Sequence, residues 1–131
     1  MKKKLFAALA AGVMLCGMLT APVSAAETKY QTGDVNMNGA VDIEDAQLTL
    51  REYVMLVLTR HTEGVLTPEQ RELALVIPQK YWEQEKYITD ENTSLLLCAQ
   101  TILSYYTVGL ADSSVRETDL SVWVEGLYQK T

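Results

Sequence analysis

The spacing of apolar and polar residues along the chain predicts helices in several segments. Within residues 43–58, apolar residues recur at the intervals that place them on one face of a helix. These are Ala46, Leu50, Tyr53, Val54 and Val57. The opposite side carries Glu44, Gln47 and Arg51. We therefore expect an amphipathic helix over residues 43–58, with its apolar face packed against a core.

Two more helices are expected, each with a recognisable start. Thr67 stands at an N-cap, Pro68 at the first helical position and Gln70 at the reciprocal capping position. Pro78 bounds this helix, because the residue before a proline is driven out of the helical region. A last helix is expected after Thr118 as its cap, following a polar break. Its apolar face consists of Leu120, Trp123, Val124 and Leu127.

Residues 34–45 have the spacing of a twelve-residue calcium loop. Oxygen-bearing side chains occupy positions 1, 3, 5, 9 and 12, and position 7 needs only its backbone carbonyl. The predicted ligands are Asp34, Asn36, Asn38, Ala40, Asp42 and Asp45. Gly39 stands at position 6, where the chain must turn sharply. Because Ca²⁺ prefers a shell of several oxygen ligands, we expect one calcium ion here.

A solvated turn is the alternative interpretation of this segment, since Asn, Asp and Gly are ordinary loop residues. Six matches at fixed offsets arise by chance on the order of once in 10⁵ chains, which favours the calcium site. One departure from the general EF-hand pattern is Asp45 at position 12, where Glu is usual. The shorter carboxylate reaches a metal only if the following helix begins close to it.

The segment over residues 33–53 resembles the first repeat of a dockerin. The matching residues are Gly33 to Gly39, Val41, Asp42, Asp45 to Leu48, and Tyr53. Dockerins are small calcium-dependent modules that attach enzymes of anaerobic bacteria to cohesin domains on a cellulosomal scaffold. The family has Asp at position 12 and lacks the helix that precedes the loop of an EF-hand. The short helix opened by Thr67 is similar to the linker helix of long-linker dockerins.

The resemblance implies a partner, a surface for it and a role. A cohesin domain would contact loop positions 10 and 11 and the exposed side of the following helix. These positions correspond to Ile43, Glu44, Gln47 and Arg51. The implied cofactor is Ca²⁺, the implied process is polysaccharide catabolism, and the chain is expected to be a monomer when unbound.

The second repeat is degenerate. An offset of 53 residues matches residues 98–106 to residues 45–53 at Ala, Gln, Leu and Tyr. It places Cys98 at position 12 and leaves almost no ligands in the loop before it. An offset of 47 instead places Tyr81 at position 1 and Lys86 at the turn, where a lysine is poorly suited. We prefer the offset of 53, with a remodelled loop and no second calcium ion.

Residues 1–25 have the pattern of a signal peptide. A basic start is followed by an apolar run over residues 5–19 and by small residues before the expected cleavage at Ala26. Cleavage after Ala26 is also open. A lipoprotein anchored at Cys16 is the alternative, but Leu15 is too large for the usual signal. We expect a secreted or cell-surface protein.

Composition excludes several classes of function for the mature chain. Removal of three lysines changes the formal net charge from −6 to −9, with eight basic against seventeen acidic side chains. Nucleic acids and anionic membranes select basic surfaces, so neither is an expected partner. His61 is the sole histidine and is expected in a solvated loop, and Cys98 is expected in the core. We therefore expect no enzyme.

The predicted organisation is an all-α, EF-hand-like dockerin domain of about three helices with a C-terminal amphipathic helix. The segments are a signal peptide (1–25), a dockerin-like domain (26–110) and a helical extension (111–131). Within the domain lie the first repeat (33–58), the linker helix (67–77) and the second repeat (81–108). The alternatives are a secreted calcium-binding protein without a cohesin partner, or a calcium-stabilised helical domain with another cell-surface role.

Overall fold

The computed structural model describes residues 30–129 of the chain. These residues form helices and no strand, which confirms the all-α class for this part of the chain. In chain order they are α1 (Ile43–Tyr53), a π-helical segment (Val54–Leu58), α2 (Pro68–Ala74), a 3₁₀ helix (Gln79–Gln84), α3 (Glu91–Ala111), α4 (Ser113–Arg116) and α5 (Leu120–Gln129). The predicted signal peptide lies outside the described residues.

The helix α1 begins at the end of the candidate calcium loop because residues of that loop cap its first turn. The Asp42 side chain accepts a hydrogen bond from the N–H of Glu44, and the Asp45 side chain accepts one from the N–H of Asp42. These bonds satisfy N–H groups that the first turn of a helix leaves without partners. The π-helical segment continues α1, so helical structure covers the predicted range 43–58.

The buried face of α1 differs from the predicted face. Ala46 is buried as expected, but Leu50 is 41% exposed and the polar residues Thr49 and Glu52 are buried. Thr49 is accommodated because its hydroxyl donates a hydrogen bond to the carbonyl oxygen of Asp45 at 2.9 Å. The prediction for Leu50 was therefore wrong, since hydrogen bonding allows polar side chains to occupy the inner face.

Glu52 is buried at the centre of a hydrogen-bond network that joins four segments of the chain. Its Oε1 accepts hydrogen bonds from the N–H groups of Val65 and Leu66 at 2.6 and 3.0 Å. Its Oε2 accepts one from Arg71 Nη1 at 2.8 Å. Arg71 Nε donates in turn to Glu91 Oε2 at 2.7 Å. The end of α1, the connector after it, α2 and the start of α3 are thereby held together.

The two helices α1 and α3 form the antiparallel pair on which the fold is built. Asp42 at the start of α1 and Gly109 near the end of α3 line the same cleft. At the opposite end, Arg71 bridges Glu52 near the end of α1 and Glu91 at the start of α3. The core between and around them is mostly apolar. It consists of Val35, Ala46, Ala74, Val76, Ile77, Tyr81, Leu95, Cys98, Ile102, Tyr105, Leu120 and Val124.

The start of α3 shows what stands in the place of the remodelled loop predicted for the second repeat. Residues 98–106, which the offset of 53 aligns with residues 45–53 of α1, are helical and Cys98 is fully buried, but α3 begins well before them, at Glu91. The reason is a strong helix start. Asp90 Oδ1 accepts a hydrogen bond from the N–H of Thr93 at 2.9 Å, and the Thr93 hydroxyl accepts one from the N–H of Asp90 at 3.0 Å.

The helix α5 packs back onto the core. Leu120 and Val124 are fully buried, and Trp123 packs against the same cluster. Leu127, the last residue of the predicted apolar face, is 43% exposed. The C-terminal segment, as far as residue 129, therefore shares the core of the preceding helices.

The start of α5 is capped one residue later than predicted. Asp119 Oδ2 accepts hydrogen bonds from the N–H and the hydroxyl of Ser121, at 3.2 and 2.5 Å. The hydroxyl of Thr118, the predicted cap, donates instead to the carbonyl oxygen of Ser114 at 2.7 Å. The predicted polar break before it contains the short helix α4.

The far end of α5 is held by a pair of stacked tyrosines. The rings of Tyr81 and Tyr128 are 4.4 Å apart between centroids and nearly parallel, at 6°. The Tyr81 hydroxyl donates to Glu125 Oε1 at 2.5 Å, and the Tyr128 hydroxyl donates to Glu85 Oε2 at 2.8 Å. Burial, together with the neighbouring Glu85 carboxylate, raises the pKa of Tyr128. We call these two tyrosines and two glutamates the tyrosine clasp.

The helix α3 is also long and apolar. Its 21 residues have a mean hydropathy of 1.4 over the most apolar window. By length and composition it could cross a membrane, a test that core helices of soluble proteins also pass. Here it packs on α1 with one side and exposes apolar side chains on the other. Its exposed apolar residues are Leu96, Leu103, Val108 and Leu110.

Candidate calcium loop

Residues 34–45 fold into a loop whose side-chain oxygens bond to its own backbone. Asp34, at position 1, is only 1% exposed. Its Oδ1 accepts a hydrogen bond from the N–H of Asn38 at 3.2 Å, and its Oδ2 accepts one from Gly39 at 2.9 Å. The carboxylate is thereby held beneath the turn that the glycine makes.

Asp45, at position 12, closes the loop from its other end. It is fully buried, with Oδ1 accepting from the N–H of Asn36 at 3.0 Å and Oδ2 from that of Asp42 at 2.7 Å. Burial raises the pKa of Asp45 from 3.8 to about 6; the charges of Asp42 and Asp34 add to this, and the two N–H bonds oppose it. The shorter carboxylate reaches the loop because α1 starts immediately beside it.

The two asparagines shape the middle of the loop. Asn36 Oδ1 accepts from the N–H of Asn38 at 3.2 Å, and Asn38 Oδ1 accepts from the N–H of Ala40 at 3.0 Å. Such bonds from an amide side chain to the backbone two residues on are characteristic of Asx turns. The side-chain oxygens of all five predicted side-chain ligands therefore accept hydrogen bonds from backbone N–H groups of the same loop. The N–H of Ala40 is one of these donors.

Backbone conformation explains the glycine of the loop and reveals a strained neighbour. Gly39 has φ of 98°, a region that residues with a Cβ rarely adopt, as position 6 requires. Met37, two residues earlier, adopts φ of 57°. This left-handed conformation costs a non-glycine residue about 1–2 kcal/mol. The strain at Met37 was not evident from the sequence, because only the glycine position is part of the spacing rule.

The charges of the loop test whether the residues fit a cation. Asp34 and Asp45 are buried carboxylates, and the ion pairs within residues 30–129 involve Arg71 and Lys80, neither of which reaches the loop. Burying charges without a counter-charge is costly. A divalent cation among these oxygens would remove that cost, and carboxylate, amide and carbonyl oxygens are the donors that Ca²⁺ selects. The residues therefore fit calcium.

The proposed donor set depends on more than acidic side chains. Counting only His, Cys, Asp and Glu, the part of the chain that the structure describes contains no group of three or more arranged to hold a metal ion. Asn36, Asn38 and the carbonyl of Ala40 are needed to complete the set. This makes the loop a candidate for a hard cation such as Ca²⁺ rather than for zinc, which favours Cys and His.

The predicted partner face is exposed along α1. Ile43 is 47% exposed, and the other three predicted residues are exposed as well: Glu44, Gln47 and Arg51. Leu50 lies on the same side and adds apolar area. The structure also shows a link that spacing did not predict. Asn36 Nδ2 donates to Glu44 Oε1 at 3.1 Å, so this face is bonded directly to the loop.

Two residues considered for chemistry lie where the sequence placed them. His61 is exposed in a connector, and its Nδ1 lies 2.7 Å from the Thr59 hydroxyl. Cys98 is fully buried, and burial raises the pKa of its thiol. The two residues are therefore in different environments, one solvated and one in the core.

Sequence reasoning missed the contacts between the loop and distant parts of the chain. The N–H of Gly33 donates to the carbonyl oxygen of Leu73, in α2, at 2.8 Å. Gln31 Nε2 donates to the Tyr105 hydroxyl at 3.3 Å, and Leu120 packs beside Gly33. These contacts join residues far apart in the chain, and no local sequence pattern predicts them.

Comparison with protein-family models, curated proteins and solved structures finds no match to this chain.

Proposed function

We propose that this chain is a secreted, calcium-binding docking protein of dockerin type, which binds a cohesin domain of a cellulosomal scaffold and so serves polysaccharide catabolism. The observation that carries the calcium part is the pair of buried carboxylates, Asp34 and Asp45, at the two ends of one loop, neither of which forms an ion pair with a side chain of residues 30–129. The partner part is supported by the resemblance of residues 33–53 to a dockerin repeat and by the exposed face of α1.

The loop geometry supports a direct effect of calcium on the docking face. Asp42 and Asp45 are predicted ligands and are also the two side chains of the capping box of α1. Asn36, a third predicted ligand, donates to Glu44 on the docking face. An ion held by these residues fixes the start of α1 and the first residues that a partner would meet.

Calorimetric titration of residues 26–131 tests the calcium site. We expect one Ca²⁺ per chain, with an affinity between the sub-micromolar and the hundred-micromolar range. Asp34→Ala should abolish binding because it removes the buried carboxylate at position 1. Asp112→Ala, which removes an exposed carboxylate outside the loop, should leave binding intact. Absence of binding would overturn the calcium site, and two strong sites would overturn our interpretation of the second repeat.

A calcium-binding protein without a cohesin partner is the second candidate. It is favoured by α3, which begins at Glu91 and so replaces part of the loop that a paired dockerin repeat would need. Capture experiments against a panel of cohesin domains, with calcium and with chelator, separate the two. Calcium-dependent capture supports docking. Calcium binding with no capture by any cohesin type supports the second candidate.

A further inference from the structure

The first turn of α5 is built onto the calcium loop. Leu120 is fully buried beside Gly33, the residue just before loop position 1. A Cβ added to Gly33 would lie 2.6 Å from Leu120 Cδ1 and 3.6 Å from Val41 Cγ2. Val41 stands at loop position 8. Leu120 is thus packed where the beginning and the second half of the loop come together.

A second set of contacts joins the same regions through α3. The Tyr105 hydroxyl donates to the carbonyl oxygen of Thr118, just before α5, at 2.5 Å, and accepts from Gln31 Nε2, just before the loop, at 3.3 Å. The ring of Trp123, in the first half of α5, meets the Tyr105 ring edge-on at 5.5 Å. The lead-in to the loop and the start of α5 therefore share one anchor.

The other end of α5 is attached elsewhere. The tyrosine clasp joins Tyr128 and Glu125 to Tyr81 and Glu85, in and just after the 3₁₀ helix. The clasp contains no residue of the loop. The two ends of α5 are thus held by different parts of the molecule, and only one of them touches the candidate metal site.

The loop concentrates negative charge and borders open space. Asp34, Asp42 and Asp45 carry like charges within one short segment, and a cation offsets their repulsion. On the side toward the end of α3, the loop borders a cleft of about 380 Å³ lined by Val41 and Tyr105, among others. A loop released from its cation can shift into this space, and such a shift would change the position of Gly33 and Val41 against Leu120.

We propose that calcium in the loop fastens the first half of α5 to the domain, while the tyrosine clasp holds the second half in either state. The inference rests on the proposed calcium site and adds a conformational response to it. Calcium removal loosens residues 120–124 and leaves the clasp in place. By linkage, the packing of residues 120–124 against the domain also strengthens calcium binding.

Hydrogen exchange followed by mass spectrometry, with calcium and with chelator, tests the local response. We expect calcium to slow exchange in residues 120–124 roughly fivefold or more, and to change residues 127–129 much less. Trp123 fluorescence gives a second readout in a Trp82→Phe background, since the chain has two tryptophans. A calcium-dependent change should be present in that background and absent when Asp34→Ala is added.

The reciprocal test measures calcium affinity in α5 variants. Leu120→Ala should weaken calcium binding roughly fivefold or more, because the loop loses its packed neighbour. Leu127→Ala, which trims an exposed leucine of the same helix, is the matched control and should leave affinity unchanged. Tyr105→Phe keeps the ring but removes the hydroxyl bonds to Thr118 and Gln31. It should also weaken binding, and it serves as the test if Leu120→Ala does not fold.

The outcomes separate this inference from the proposed calcium site. If the unaltered chain binds no calcium, the proposed site itself fails. If it binds calcium but exchange in residues 120–124 is the same in both conditions, and the Leu120→Ala and Tyr105→Phe variants bind as tightly as Leu127→Ala, the coupling is overturned while the calcium site stands. Equal slowing of exchange along all of α5 would overturn the separate role of the clasp.

Discussion

At the scale of single residues, Asp45 takes part in two structures at once. One of its oxygens accepts from Asn36 within the loop, and the other accepts from Asp42 and so completes the cap of α1. The carboxylate is buried, which disfavours its charged form. A cation in the loop would favour that charged form, so the protonation of Asp45 and the occupation of the site oppose each other.

The pH dependence of the calcium-free protein should show this effect. Because the pKa of Asp45 is raised to about 6 from 3.8, the folded state binds the proton more tightly than the unfolded state. The protonated Asp45 side chain therefore contributes to the free energy of unfolding. This contribution, about 3 kcal/mol, is complete below pH 3.8 and is lost as pH rises through about 6. Urea unfolding in chelator at pH 4 and pH 7 measures it.

The matched control for this experiment is Asp45→Asn, which cannot ionise. Other carboxylates titrate over the same range, so the quantity to compare is the difference in unfolding free energy between the variant and the unaltered protein. That difference should move in favour of Asp45→Asn as pH rises. A difference independent of pH would show that Asp45 is ionised freely in the folded state.

At the scale of helices, the position of α1 is decided as much by buried polar groups as by apolar residues. Glu52 receives two backbone N–H bonds and the Arg71 guanidinium, which makes its burial acceptable. Gly64 packs so closely that a Cβ there would overlap the Glu52 carboxylate. The connector after α1 is therefore shaped around this one side chain.

Arg71→Ala should destabilise the protein by about 3 kcal/mol, because it leaves the buried Glu52 carboxylate without its cation. Lys80→Ala is the control, since it breaks an ion pair with Glu125 in which Lys80 is 63% exposed, and it should change stability little. Denaturant unfolding of both variants in saturating calcium measures the difference. Equal, small effects would mean that the backbone bonds to Glu52 suffice without Arg71.

The sequence predicted which segments are helical better than it predicted how they start and which side they bury. Helical periodicity identified residues 43–58, but it assigned Leu50 to the core because it counts apolar residues and cannot see hydrogen bonds that bury Thr49 and Glu52. Capping is similar. Asp90 was not recognised as the cap of α3, because the alignment with the first repeat placed a loop there.

At the scale of the whole molecule, calcium is expected to be part of the fold. A ligand at 100 times its dissociation constant that binds only the folded state adds about 2.7 kcal/mol, a large share of the usual stability of a small domain. Chelator should therefore lower the melting temperature by roughly ten degrees. Asp34→Ala should melt at the lower temperature in both conditions. An unchanged melting curve for the unaltered protein would argue against a structural role of the ion.

Docking to a cohesin is expected to use one orientation, through α1. The exposed side of α3 differs in chemistry from the predicted face of α1, because it carries Leu96, Gln100 and Ser104 and no charged side chain among these three. The α1 face includes the charged residues Glu44 and Arg51, so the two faces are not interchangeable. Glu44→Ala with Arg51→Ala should weaken binding, and Leu96→Ala with Ser104→Ala should not. Titration of both double variants with a captured cohesin measures this. Equal losses would indicate two alternative orientations.

The hydrogen-bonded loop over residues 34–45 was predictable because all its residues lie within one short segment with a fixed spacing rule. The surroundings of that segment were not. Gln31 meets Tyr105, and Gly33 meets Leu73 and Leu120, across long stretches of chain. Local patterns contain no information on such pairs, because they arise from the packing of whole helices.

The burial of Cys98 bears on how the protein ages in an oxidising medium. It is the only cysteine outside residues 1–25, and its sulfur is sealed between α3 and the backbone of Val76 and Ile77. An oxidant reaches it only when that packing opens. Folded chains keep a buried free thiol, whereas two opened chains can form a disulfide when the oxidant takes up the two electrons. The rate at which covalent dimer accumulates in a stored preparation therefore depends on how often the core around Cys98 opens. A comparison of that rate with and without calcium shows whether the ion suppresses this opening.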